Sequence, residues 1–129
     1  MFKIIIAFLV LCYSSYANSQ VKRFDIIELK NDSKKENKGY EKKDGQKYAI
    51  VISSQEYNLQ GKYFIVLPLV QNKKNYKGKF VHSIKIASKD YAVFVDKPRS
   101  VEKSSTTKSS LSIKENEGAE ILNKFKNIL

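Results

Sequence analysis

From Val21 onward the chain repeats one pattern, a short run of β-branched and aromatic residues followed by a polar stretch. The runs cover 24–29, 48–52, 63–67, 80–86 and 91–95. Each is too short for a typical helix and rich in residues that suit a pleated, half-buried surface, so each reads as a strand. The charged stretch 30–47, with Asp32, Asn37, Gly39, Asp44 and Gly45, reads as a long flexible loop. The stretch 53–62 reads as a turn region, and Pro68 is expected to bend its strand or end its ladder pairing. Phe80, His82, Ile84 and Ile86 alternate onto one face, which marks His82 as a satisfied core histidine rather than a catalytic one. Near the end the period changes. Ile121, Leu122, Phe125, Ile128 and Leu129 recur at helical spacing over 115–129, with Ser112 as N-cap and Glu115 completing a capping box. The Ser/Thr-rich stretch 104–110 has no apolar period and reads as a loop. Strands closing on one terminal helix give a compact, β-rich α+β domain without internal repeats.

The first twenty residues stand apart. Lys3 precedes the unbroken apolar run 4–11, and Ser15-Tyr16-Ala17 places small residues before a cleavage point near Ala17. That is the three-part layout of a secretory signal peptide over residues 1–17. The run is too short for a stable membrane span, which needs about 20 residues. Leu before Cys12 fits lipoprotein processing poorly. Alternatively, translation starts near Val21, and the apolar segment is an overcalled beginning. The first reading makes the protein periplasmic or secreted, the second cytoplasmic.

Composition narrows the chemistry. A length of 129 residues allows one ordinary domain, and a hydrophobic share of 42% is enough for a core. One Cys excludes a disulfide framework and a Cys-rich zinc site. One His makes zinc hydrolase chemistry or a His-based triad hard to assemble, and no metal site is expected. Lys plus Arg exceed Asp plus Glu by 24 to 13, a net charge of +11 that favours a polyanionic partner. A solvated Lys-rich surface explains the same charge.

The order of landmarks resembles the MazF/PemK toxins of bacterial toxin–antitoxin systems. That family opens with basic residues and Gly-Asp-Ile; here Lys22-Arg23-Phe24-Asp25-Ile26 has Phe24 at the Gly position. Gly39-Tyr40-Glu41 and Gly45-Gln46-Lys47, running into Tyr48-Ala49-Ile50-Val51-Ile52-Ser53, resemble its Gly-x-Glu-x-x-Gly-x-Arg-Pro loop and following strand, with one extra residue. Tyr57-Asn58, Leu67-Pro68-Leu69-Val70-Gln71 and Asp96-Lys97-Pro98-Arg99-Ser100-Val101-Glu102-Lys103 resemble its Tyr-Asn, Val-Pro-x-Thr and Asp-Gln-x-Arg-Ser-Val-Asp-Lys segments. The likeness runs over 21–129, essentially the whole mature chain.

The resemblance implies an SH3-like small barrel of MazF/CcdB type with a C-terminal helix, a homodimer, and an antitoxin protein as partner. It implies metal-independent, cofactor-free cleavage of single-stranded RNA by attack of the 2′-hydroxyl, leaving a cyclic phosphate. Such chemistry needs a cation at the phosphorane and a group that positions or deprotonates the nucleophile. The family's Arg and Thr correspond to Lys47 and Val70; Gln71, beside Val70, has a hydrogen bond to give but is no base. The catalytic candidates are therefore Lys47 and Gln71, and the RNA-binding candidates Lys42, Lys43, Tyr48, Lys73, Lys74 and Arg99, with Tyr40 and Tyr76 as further stacking surfaces. Asp25 either supports the loop near Lys47 or caps a turn. Three readings remain: a cytoplasmic ribonuclease, an exported barrel that has lost its catalytic pair and binds RNA, another polyanion or a protein, and an exported nuclease.

Overall fold

The computed structural model describes residues 20–30 and 47–129. The signal-peptide segment 1–17 and most of the loop 30–47, including Lys42 and Lys43, lie outside the described residues. In chain order the elements are β1 (Ile26–Leu29), β2 (Tyr48–Val51), α1 (Gln55–Gln60), β3 (Tyr63–Gln71), β4 (Val81–Ile86), β5 (Lys89–Phe94), β6 (Arg99–Glu102), a 3-10 turn (Lys103–Ser105), β7 (Thr106–Lys108) and α2 (Glu115–Lys126). The seven strands form one antiparallel sheet in the order β4-β5-β3-β2-β1-β7, with β6 also on β3. The hydrogen-bonded path is open. Its gap is spanned by the chain itself, because one 3-10 turn links β6, paired to β3, with β7, paired to β1. No helix among the described residues is long and apolar enough to cross a membrane.

The nine-residue β3 organises the molecule, and its alternation feeds two cores. Leu67 and Leu69 join Ile26, Ile50, Ile84, Ile86, Val93 and Ile121 in one. Phe64 and Val66 join Ile27, Leu29, Ala49, Val51 and Val101 in the other. The first core is closed by α2, whose Ile121 is wholly buried and whose Leu122 and Phe125 pack at the margin. Burying a side chain such as Ile121 is worth about 1.5–3 kcal/mol.

Several expectations need correction. The stretch 53–62 is not all turn, since Ser54 accepts from the Tyr57 amide and starts α1. Pro68 neither ends nor interrupts the ladder: it sits opposite Ala49 within β3. Ile52 N donates to Ile65 O at 2.9 Å, so by alternation the 49–68 pair is a non-hydrogen-bonded one, and the Pro68 nitrogen faces the other edge. There the partner changes from β6 to β5, and no ladder bond is lost. The stretch 104–110 is not a plain loop but carries the 3-10 turn and β7. The capping box is not formed either: α2 begins at Glu115 behind Lys114, which gives no side-chain cap. Leu111 and Ile113 pack against the core and hold the chain extended past Ser112. Finally, Ile128 and Leu129 lie beyond the helix, 40% and 87% exposed, and neither joins the core.

Candidate active site

The sheet register assembles a polar junction at one end of β2, β3 and β5. Tyr48 pairs with Leu69, and Gln71 pairs with Tyr91. One step beyond the Tyr48 pair, the register sets Lys47 opposite Val70. The Lys47 carbonyl accepts from Leu29 N at 2.7 Å, which ties the start of β2 to the end of β1. Lys47 itself is exposed, and its Nζ lies 5.3 Å from the Tyr48 ring centroid, a cation–π distance. The Tyr48 and Tyr91 rings meet edge to face with centroids 6.5 Å apart. Glu28, half-buried, is set directly opposite Tyr48.

Alternation divides the junction between two faces. Gln71 shares the face of Leu67 and Leu69, where Tyr48 and Tyr91 lie, whereas Val70 and Lys47 start from the other. Val70 is buried and Gln71 half-buried. The Lys47 ammonium bridges the division, because its long stem carries it over the ring of Tyr48.

The turn after β3 is built on Asn72. Its side chain accepts from Tyr76 N at 2.6 Å and donates to Tyr76 O at 3.3 Å, while its amide donates to Asp90 O at 2.8 Å. Lys73 and Lys74 are thereby presented on an ordered, exposed turn. Tyr76 is half-buried and edge-on to Phe94 at 5.2 Å. Between this turn and the β4–β5 hairpin opens a cleft of about 370 Å³, lined by Asn72, Asn75, Ser83, Ile84, Lys85, Asp90 and Tyr91. Burial raises the Tyr91 phenol above its ordinary range, Tyr48 adds to the rise, and Lys47 partly offsets it.

The other candidates fall elsewhere. Arg99 is exposed on β6 opposite Val66, five residues back along β3 from Gln71. Lys47 stands opposite Val70, four residues from Val66 and about 13 Å at strand rise, so the register sets Arg99 and Lys47 well apart within one chain. Asp25 caps a turn: its Oδ2 accepts from Lys22 N at 2.8 Å and lies 3.5 Å from Lys108 Nζ. Its backbone oxygen receives Val51 N, at the opposite end of β1 from Lys47. Asn58, read only as part of a motif, is buried and holds the entry to α1, donating to Ser53 O at 3.1 Å and bonding the Ser53 hydroxyl, which in turn accepts from Ile65 N.

His82 is the satisfied core histidine its alternation predicts, 5% exposed. Its Nε2 lies 3.1 Å from Glu117 Oε1 and its Nδ1 2.8 Å from Lys124 Nζ. His82, Glu117 and Glu120 bring ligand-type atoms within 4.8 Å of one another. A lysine ammonium only donates, so Nδ1 accepts and Nε2 keeps its proton for Glu117. A metal ligand needs the reverse, a free nitrogen backed by an acceptor. The cluster works as a clasp between β4 and α2.

Comparison with known proteins follows the same outline. A family model described as "PemK-like, MazF-like toxin of type II toxin-antitoxin system" matches residues 22–129. The crystal structure of MazF (Form-I) from Deinococcus radiodurans superposes with a TM-score of 0.62 at 17% identity, over 84% of this chain and 94% of that one. The MazE–MazF (Form-II) crystal structure from the same organism gives 0.60 at 19% identity, over 84% and 93%. No curated protein sequence matches significantly.

Proposed function

The chain belongs to the PemK-like, MazF-like toxin family, and from that premise we propose that it is an endoribonuclease that cleaves single-stranded RNA slowly and without a metal ion. In this reading the 2′-hydroxyl of the target nucleotide attacks the neighbouring phosphorus, the P–O5′ bond breaks, and the products carry a cyclic phosphate and a 5′-hydroxyl. Lys47 supplies the cation for the phosphorane, as a point charge without the two-pronged grip of a guanidinium. Val70 supplies no hydroxyl to orient the nucleophile. The observation that carries the reading is the junction itself: an exposed cation held over an aromatic ring, beside an ordered turn bearing Lys73 and Lys74. That arrangement suits a stacked base and its phosphate.

Lys42 and Lys43, outside the described residues, are proposed as further RNA contacts, and Arg99, at the far end of β3, serves a longer RNA path. The MazE–MazF likeness supports an antitoxin protein as partner, and pairing of two chains is part of the same proposal, as the family resemblance implies. We take residues 1–17 as a signal peptide and the mature protein as exported; a start near Val21 would keep it in the cytoplasm. The N-terminal residue and intact mass of the native protein decide between them.

A second reading, a barrel that binds RNA or another polyanion without cutting it, is favoured by the buried methyl groups of Val70. One experiment separates the two. Residues 21–129 are incubated with single-stranded RNA in excess chelator, alongside Lys47→Arg, Val70→Thr and the double variant. Slow cleavage by the parent, raised by Lys47→Arg alone or in the double variant, supports the nuclease. Undetectable cleavage in all four, with RNA retained at low salt, supports the binder.

A further inference from the structure

Tyr91 is the group at the junction that no sequence pattern marks out. It is 6% exposed, and among the described residues its hydroxyl has no hydrogen-bond partner. Buried tyrosine hydroxyls ordinarily find one, because an unmet donor costs free energy. The residue lines the 370 Å³ cleft, pairs with Gln71, and sits edge-on to the ring that carries Lys47 Nζ. Tyr91, its donor unmet, thus lines an open cleft, and Lys47 reaches it only through the ring of Tyr48 that lies between them.

We propose that the Tyr91 hydroxyl donates a hydrogen bond to the same RNA backbone phosphate that Lys47 binds, a contact that rests on the RNA-site reading given above. The two groups divide the work. Lys47 gives charge, long-ranged but loosely directed; Tyr91 gives a short, directed donor from a ring that packing holds in place. A tyrosine phenol is neutral at physiological pH, and burial raises its pKa further, so it holds its proton and serves as a donor, not as a base. No proton leaves it during the contact.

The test uses a single-stranded 2′-O-methyl RNA oligonucleotide, which cannot be cleaved, and the variants Tyr91→Phe, Lys47→Ala and their combination. Tyr91→Phe keeps the ring and its packing on Tyr48 and should weaken binding by about 3- to 10-fold, the usual worth of one net hydrogen bond. The slope of log affinity against log salt should stay unchanged in Tyr91→Phe, because a neutral donor displaces no counterion. Lys47→Ala should reduce that slope by about one unit. In the Lys47→Ala background, Tyr91→Phe should have a smaller effect, because the phosphate is no longer held against the hydroxyl. Equal affinity of Tyr91→Phe and parent, or no binding by the parent at low salt, overturns the proposal. Cleavage of ordinary RNA by the parent is scored separately. A parent that cuts while Tyr91→Phe binds as well as it does leaves the ribonuclease standing without this contact. A parent that binds, does not cut, and loses affinity in Tyr91→Phe keeps the contact and removes the enzyme.

Discussion

Phe24 occupies a position that the backbone would assign to glycine, and Gly118 pairs with it. Asp25 N donates to Lys22 O at 3.0 Å, closing a four-residue turn whose third residue, Phe24, has φ of 76°. A turn with positive φ only there follows the type II pattern, which calls for Gly. The turn is fixed from outside by Phe24 N on Val51 O at 2.6 Å and by Arg23 Nε on Ile52 O at 3.0 Å. The half-buried ring of Phe24 is thereby laid across α2 at Gly118. A Cβ at position 118 would lie 2.5 Å from Phe24 Cδ2 and 2.8 Å from Cδ1, and closer still to Cγ. These atoms belong to the root and body of the ring, so the clash is not relieved by swinging a flexible tip.

Gly118→Ala therefore sets two effects against each other. In a helix interior, Ala is favoured over Gly by about 0.8–1.0 kcal/mol. Overpacking against a fixed ring costs about 1–3 kcal/mol. The single variant should be neutral to destabilised by about 2 kcal/mol. With Phe24→Gly also in place the clash vanishes, and Gly118→Ala should instead stabilise by about 1 kcal/mol. The coupling between the sites is then about 1–3 kcal/mol, readable by urea unfolding of the four proteins followed by circular dichroism. Phe24→Gly alone exchanges ring burial for relief of a left-handed backbone and should shift stability little. If Gly118→Ala stabilises the parent as much as it does the Phe24→Gly variant, the ring does not rest on the helix and the reasoning fails.

Three shorter predictions concern the rest of the molecule. Because folding raises the Tyr91 pKa, its contribution is fully present below about pH 10, the ordinary tyrosine value, and is lost as pH rises through the higher folded value; Tyr91→Phe should flatten this alkaline loss, measured by denaturant unfolding across that range. Asn58→Ala strands the buried Ser53 groups and should cost about 1–3 kcal/mol, against no measurable change if the α1 entry is not coupled to the sheet. At the C-terminus, thermal or urea unfolding should show Ile121→Ala costing about 2–5 kcal/mol, while deleting Leu129, which is 87% exposed, stays within about 0.5 kcal/mol.

The strands legible in the sequence are those that carry their own apolar content. β6 and β7 carry almost none: among their residues only Val101 is buried. They are strands because β3 offers an unpaired edge at Tyr63, Phe64, Ile65 and Val66, and β1 offers one at Ile27, Glu28 and Leu29. An edge of that kind is a property of the assembled sheet and leaves no local period to detect. The missing capping box has a similar cause. Ser112 and Glu115 have the right spacing, but Leu111 and Ile113 on either side of Ser112 are claimed by the core, and burial outweighs a cap worth about 1 kcal/mol.

At the site, resemblance located Lys47, Tyr48 and the Val70–Gln71 pair, but it could not say which of them face each other. Reading Gln71 as a stand-in for the missing hydroxyl treats adjacent residues of a strand as neighbours, whereas adjacent side chains leave opposite faces. Val70 is buried on the face from which Lys47 starts; Gln71 stands with Tyr48 and Tyr91 on the face that the Lys47 amine reaches. Tyr91 is hidden in the sequence for the same reason in reverse. In the run 91–95 it looks like any core aromatic, and only the pairing of β3 with β5 sets it across from Gln71. A phosphate bound where the ammonium sits would therefore meet groups from the Tyr48 face, and Val70→Thr would place its hydroxyl on the other side of the strand. If Lys47→Arg alone recovers as much cleavage as the double variant, the reacting phosphate lies on the Tyr48 face. A further gain from Val70→Thr places it at the strand end, where both faces are within reach of one side chain.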